Sequence, residues 1–224
     1  MTRRILQVNK LYHPSVGGVE TAVRDLAEGL DARGDDVRVL AARERGFGTK
    51  ERVNDIPVTR STTLGVAQSV PLAPAFLFSY ARAVRDVDIV HHHVPNPLGT
   101  VSNQLIRRET PSVVTYHSDI VRQAAVMPVY ERVLHGFLND ANQILVTSPR
   151  LRDSSPHLED FRDKCEIVPL SIDLTEYEPG NPVPSSFPVN PEEPFVLCVG
   201  RLNYYKGVEY LVRSVPDFNG QLVI

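Results

Sequence analysis

Two adjoining pieces of sequence decide how this chain is read: "ILQV" (Ile5–Val8) and "KLYHPSVGGVET" (Lys10–Thr21). The first is a short apolar run of strand length. The second holds a proline and a pair of glycines where a strand would hand over to a helix. The helix follows at once. Val19, Ala22, Val23, Leu26, Ala27 and Leu30 recur at the spacing that puts apolar side chains on one helical face. Gly34 stands where a C-terminal cap belongs. Strand, glycine loop and helix form the opening unit of a layered α/β fold. The loop has two readings: a cradle that lets backbone approach a phosphate at a helix N-terminus, or a tight turn that needs positive φ.

The alternation continues. "VRVLAA" (Val37–Ala42) reads as the second strand, residues 43–55 as a polar loop, and "IPVT" (Ile56–Thr59) as a weak strand whose Pro57 suggests an edge or a strand start. A helical stripe runs through Ala73, Phe76, Leu77, Tyr80, Ala81 and Val84. Strands are expected at "VDIVHH" (Val87–His92), "SVVTY" (Ser112–Tyr116), "QILVT" (Gln143–Thr147) and "CEIVP" (Cys165–Pro169). Helices lie between them over Pro97–Arg108, around Tyr130–Leu138, and from Ser148-Pro149 to Ser155-Pro156, which breaks or restarts the helix. This order predicts an α/β fold: a Rossmann-like, mainly parallel sheet with helices on both faces and ligands at the carboxyl ends of its strands. The expected domains are residues 1–177, a proline-rich linker over 178–194 with six prolines, and residues 195–224, the beginning of a second Rossmann-like domain. Thirty residues are too few to bury a core alone, so that second domain is read as incomplete.

Composition excludes several classes. A net charge of −3 over 224 residues gives no basic stripe and no support for a nucleic-acid partner. No apolar run reaches the roughly 18 residues of a membrane span, and the N-terminal apolar run is too short for a signal peptide. Two distant cysteines, Cys165 and Cys198, suit buried thiols in a reducing, cytoplasmic compartment. A peripheral membrane contact through the Phe76–Val84 stripe, with Arg82 and Arg85 nearby, competes with the simpler reading of that stripe as helix core. Oligomeric state has no signature.

Three further motifs carry chemistry. In "HHHVPNP" (His91–Pro97), strand alternation sends His91 and His93 to one face and His92 to the other, which favours a polar cleft wall over a metal site. In "TYHSD" (Thr115–Asp119), a persisting strand would put His117 and Asp119 on one side. His117 would then face the ligand crevice as acid, base or hydrogen-bond donor. In "GRLNYYKG" (Gly200–Gly207), Arg201 and Lys206 flank a tight loop, a planar fork and a point charge suited to a diphosphate. The repeat of strand, glycine loop and helix suggests two crevices around one phosphorylated ligand.

Taken together, "GGVE", "HHHVP", "TYHSD", "VPLSIDLTEY" and "GRLNYYKG" resemble, in order and across the whole chain, the GT-B fold glycosyltransferases of family 4, also called group 1. The resemblance implies a retaining transfer of a sugar from a nucleotide-diphosphate sugar to a glycan, lipid or small-molecule acceptor, with no cofactor and no essential metal. It implies that Gly17 and Gly18 approach the donor phosphate and that His117 is the active-site histidine. Arg201 and Lys206 would neutralise the diphosphate leaving group, with Tyr12, Glu20 and Asp119 on the acceptor side. Two departures stand out. Ser171 replaces a glycine in "PLSID" (Pro169–Asp173), and the family's acidic E-x-x-x-x-x-x-E segment is absent, so the chain by itself is expected to transfer no sugar. The alternatives are a nucleotide-sugar epimerase of GT-B architecture and a non-catalytic sugar- or nucleotide-binding module. A NAD-dependent dehydrogenase lacks its three-glycine fingerprint here.

Overall fold

Ile5, Leu6 and Val8 are buried, and so is the glutamine between them, so the first strand runs through the centre of the molecule. In the computed structural model, residues 2–67, 70–106, 109–119, 127–172, 186–190, 192–200, 202, 206–217 and 219–224 are described, the side chains of 127–129 excepted. The chain divides into two units, Met1–Leu170 and Ser171–Ile224.

The first unit is built on β1 (Arg4–Val8), α1 (Gly18–Ala32), β2 (Asp36–Ala42), β3 (Thr49–Val53), β4 (Ile56–Ser61), the short pair β5 (Val66–Ala67) and β6 (Val70–Pro71), α2 (Phe76–Ala83), β7 (Ile89–Val94), α3 (Pro97–Leu105), β8 (Ser112–Tyr116), α4 (Met127–Asp140), β9 (Gln143–Val146), α5 (Pro149–Ser154) and β10 (Cys165–Ile167). Eight strands form one sheet in the order β10-β9-β8-β7-β1-β2-β4-β3. All neighbours are parallel except β3, which runs antiparallel to β4. The chain first winds from β1 toward β4, then crosses back through α2 to place β7 on the other side of β1. Winding therefore reverses between β1 and β7, and ligands of open α/β sheets bind at the carboxyl ends of the strands there.

Strand alternation divides the core. Val37, Val39, Ala41, Ile56 and Val58 pack under α1 with Val23, Ala27 and Tyr12. Leu6, Val8, Leu40 and Val90 face the opposite way, onto Phe76, Tyr80 and Val84. Val114, Tyr116, Ile144 and Val146 continue that second face against Leu134, Phe137 and Leu138 of α4. The stripe at Phe76–Val84 is thus helix core, with Phe78 turned outward. Serine and asparagine start two helices: Asn96 accepts from Gly99 N at 3.2 Å, and Ser148 from Leu151 N at 3.2 Å, each followed by a first-turn proline.

One expectation is corrected. Residues 43–55 contain β3, a charged edge strand that hides its character because "TKERV" has no apolar face to bury. Asn54 and Asp55, at φ 46° and 67°, turn it back into β4. Pro57, opposite Arg52 of β3, is the second residue of β4, so it stands at a strand start and not at an edge. Ser155-Pro156 ends α5 and restarts the chain as a 3-10 run over Pro156–Lys164, as the sequence suggested, and its Leu158 and Phe161 reach the α4 core.

In the second unit, β11 (Phe195–Leu197) pairs in parallel with β12 (Gln221–Val223), and α6 (Val208–Arg213) lies between them in sequence. None of its described residues is buried. Most of the expected linker at 178–194, together with Arg201, lies outside the described residues. Among the described residues, no helix is long and apolar enough to cross a membrane.

Candidate active site

Three of the strand ends nearest the winding reversal, those of β1, β7 and β8, carry polar side chains. Gln7 on β1 is fully buried, as is His93 on β7, and they meet: His93 Nε2 lies 2.8 Å from Gln7 Oε1. On its other side, His93 Nδ1 lies 3.1 Å from Nε2 of His117. His117 follows the last residue of β8, and its backbone N–H donates to Val94 O at 2.9 Å, extending the β7–β8 ladder far enough to hold the ring beside His93. His91 stacks on His93 with ring centroids 4.5 Å apart, and His93 stacks on His117 at 5.4 Å. Nε2 of His91 lies 2.7 Å from Thr115 Oγ1. The three rings form one row on the face that carries α1.

His92 points the opposite way, as alternation requires, with Nε2 3.2 Å from the Tyr80 hydroxyl and its ring edge-on to Phe137. Tyr80 in turn donates to Asn103 Oδ1 at 2.6 Å. Burial disfavours the charged form of all four imidazoles. His91 and His117 are pushed down to about 4 and His92 to about 3, while His93 falls well below the ordinary histidine value, with its histidine neighbours adding to the effect. The row is neutral at pH 7. Among the described residues, no group of three histidine, cysteine or acidic side chains is placed to hold a metal ion.

The glycine loop has a definite answer to the turn reading. Gly17 caps α1 at φ 178°, which is extended backbone, and Gly18 has no positive φ either. A Cβ built on Gly18 would meet nothing within 4 Å. The fold therefore does not demand glycine at position 18, and the space beside it is open. No side chain caps α1, so its first amides keep their donors for something else. Glu20, on the first turn, is buried, 7% exposed.

Arg60 of β4 braces the loop that leads there. It is 8% exposed, and its guanidinium donates to Tyr12 O at 3.2 Å, to His13 O and to Glu51. Tyr12 sits fully buried beneath it, its hydroxyl pushed up to about 12 by burial. This corrects the expected acceptor contact at Tyr12: the side chain is core, out of reach of a ligand. Asp119 does not share a side with His117. β8 ends at Tyr116, so alternation does not persist, and Asp119 turns to the opposite face from His117. Its Oδ1 accepts from the Tyr116 hydroxyl at 2.8 Å and from Ser155 Oγ at 2.6 Å. That carboxylate ties the segment after β8 to the segment after α5. In the second unit, Lys206 is exposed beside Gly207, whose φ of 67° is left-handed.

Sequence reasoning missed Gln7, Arg60 and the His93–His117 contact. The first two had a signal: a polar residue inside a buried parallel strand needs a partner. The third joins residues from two strands and has no local signal.

The chain matches Glycosyltransferase Family 4 over residues 16–176. It is 28% identical to O-antigen chain mannosyltransferase C of Escherichia coli, over 99% of this chain and 60% of that protein. It is 26% identical to D-rhamnosyltransferase WbpZ of Pseudomonas aeruginosa, over 99% of this chain and 58% of that protein. The chain thus spans about 60% of the length of these curated relatives. Among solved structures, sucrose-phosphate synthase from Thermosynechococcus elongatus superposes with a TM-score of 0.76 at 20% identity, covering 98% of this chain and 61% of that one. Anabaena Alr3699/HepE, solved in complex with UDP and glucose, gives 0.65 at 16% identity, over 98% of this chain and 59% of that one. The fold is that of the GT-B glycosyltransferases, and the chain belongs to Glycosyltransferase Family 4.

Proposed function

We propose that this chain supplies the acceptor-side domain, and the start of the donor-side domain, of a retaining glycosyltransferase. The enzyme moves a sugar from a nucleotide-diphosphate sugar to an acceptor without an essential metal or other cofactor. The observation that carries this reading is the pairing, at the winding reversal, of an open, uncapped helix start at Gly17-Gly18 with a neutral imidazole row ending at His117. Backbone amides and the helix dipole attract a diphosphate oxygen. The leaving diphosphate gains charge as the glycosidic bond breaks, and fixed positive groups stabilise that charge. Arg201 and Lys206 are proposed for this task, His117 for contact with the transferred sugar, and Glu20 for the acceptor.

Two relatives whose names specify mannosyl and rhamnosyl transfer support a hexose or 6-deoxyhexose as the moving group and a saccharide acceptor. A neighbour crystallised with UDP and glucose supports a nucleotide-diphosphate donor. The free thiols Cys165 and Cys198 fit a cytoplasmic setting. The test is product analysis of the protein at its natural length, given a panel of nucleotide-diphosphate sugars with and without saccharide acceptors. Transfer predicts nucleoside diphosphate release that depends on acceptor, with the anomeric configuration kept. An isomerised donor formed without acceptor marks an epimerase, and binding without turnover marks a module.

A further inference from the structure

Gln7, His93 and His117 come from three separate strands or strand ends, yet they make one continuous row of hydrogen bonds. The direction of each bond follows from its inner end. With Gln7 Oε1 turned to His93 and Gln7 Nε2 left buried without a partner among the described residues, the hydrogen between Gln7 and His93 belongs to His93 Nε2. A neutral imidazole has one ring hydrogen, so His93 Nδ1 is bare and accepts. The hydrogen shared with His117 must then sit on His117 Nε2, and His117 Nδ1 is left bare. Neutrality is secured by burial and by the neighbouring rings: the charges acting on His93 are those of His91, His117 and His92. Among the described residues, His117 Nδ1 has no hydrogen-bond partner.

We infer that Gln7, acting through His93, is a positioning residue that locks His117 into its Nε2–H tautomer, so that Nδ1 meets the ligand as a hydrogen-bond acceptor. An acceptor nitrogen takes a hydroxyl hydrogen and repels a phosphoryl oxygen. The part of the ligand that meets His117 is therefore a sugar hydroxyl and not the diphosphate, and the ring works without being protonated. Of the acid, base and hydrogen-bond donor roles left open by the sequence, an accepting Nδ1 disfavours the donor. The identity of the hydroxyl as a sugar's rests on the transfer reading above; the tautomer does not.

The tautomers can be read directly. Long-range 1H–15N correlation of the histidine rings, recorded at pH 7 on the 15N-labelled chain, separates Nε2–H from Nδ1–H. The expected result is Nε2–H for both His93 and His117. Gln7→Leu removes the inner acceptor, so both rings should move to Nδ1–H, because a buried bare nitrogen is tolerated better than a buried unpaired N–H. Gln7→Glu keeps an acceptor oxygen and should keep the parent pattern. Nδ1–H on His117 in the parent, which a reversed Gln7 amide would produce, overturns the inference. So does an unchanged pattern in a folded Gln7→Leu. If Gln7→Leu fails to fold, the parent spectrum decides alone. The expected tautomers in a protein that transfers no sugar would uphold the row and count against the transfer reading.

Discussion

At Gly18 the fold and the proposed chemistry make opposite demands, which makes it the most informative single position. Its backbone is ordinary and its Cβ direction is empty, so Gly18→Ala should leave the melting curve almost in place, within about 1 kcal/mol. If a diphosphate approaches the helix start, the same methyl group should weaken donor binding roughly tenfold, about 1.4 kcal/mol. Thermal melts and donor titrations on the natural-length protein check both halves. Unchanged donor binding would reduce the glycine pair to a loop with no ligand. Asp119 makes a contrasting case. It holds two hydroxyls with one oxygen, so Asp119→Ala should destabilise by about 1–3 kcal/mol. Because those contacts tie loops together, the loss should appear in denaturant unfolding before it appears in any acceptor constant.

Elements fix where these residues stand. Arg60 reaches from β4 to two carbonyls of the β1–α1 loop, and a leucine there takes the guanidinium from His13 O and leaves Tyr12 O with Ser15 N, so Arg60→Leu should cost about 1–3 kcal/mol. It should also raise amide exchange in residues 12–18 more than in β1. The histidine row gives the sheet a pH signature. Its imidazoles bind protons less readily folded than unfolded, so between pH 6.5 and 5 the unfolded chain holds more protons and stability must fall with falling pH. The slope is up to about 1.4 kcal/mol per pH unit for each such histidine. Urea unfolding across that window measures it, and a flat line from pH 7 to 5 would contradict the buried neutral row. The alternation of strands and helices was legible because apolar runs and helical stripes are local. β3 was not, since a charged edge strand lacks a buried face, and neither was the turn of the chain after Tyr116, which Asp119 sets through residues 36 positions apart in sequence.

For the whole molecule, the topology explains why the chemistry collects where it does. Winding reverses beside β1, which opens a crevice at the strand ends. The loop after β1 supplies the helix start, β7 supplies His93, and the end of β8 supplies His117. The first unit has its own core on both sheet faces, whereas no described residue of the second is buried. His117 is proposed to act in sugar transfer at this crevice. The direct measurement compares parent and His117→Ala proteins at natural length, reading donor affinity by calorimetry and acceptor-dependent release of nucleoside diphosphate by turnover. Turnover should fall by roughly a hundredfold or more with donor affinity nearly kept, as expected for a group acting on the reacting sugar. Turnover within a few-fold of the parent would contradict that role.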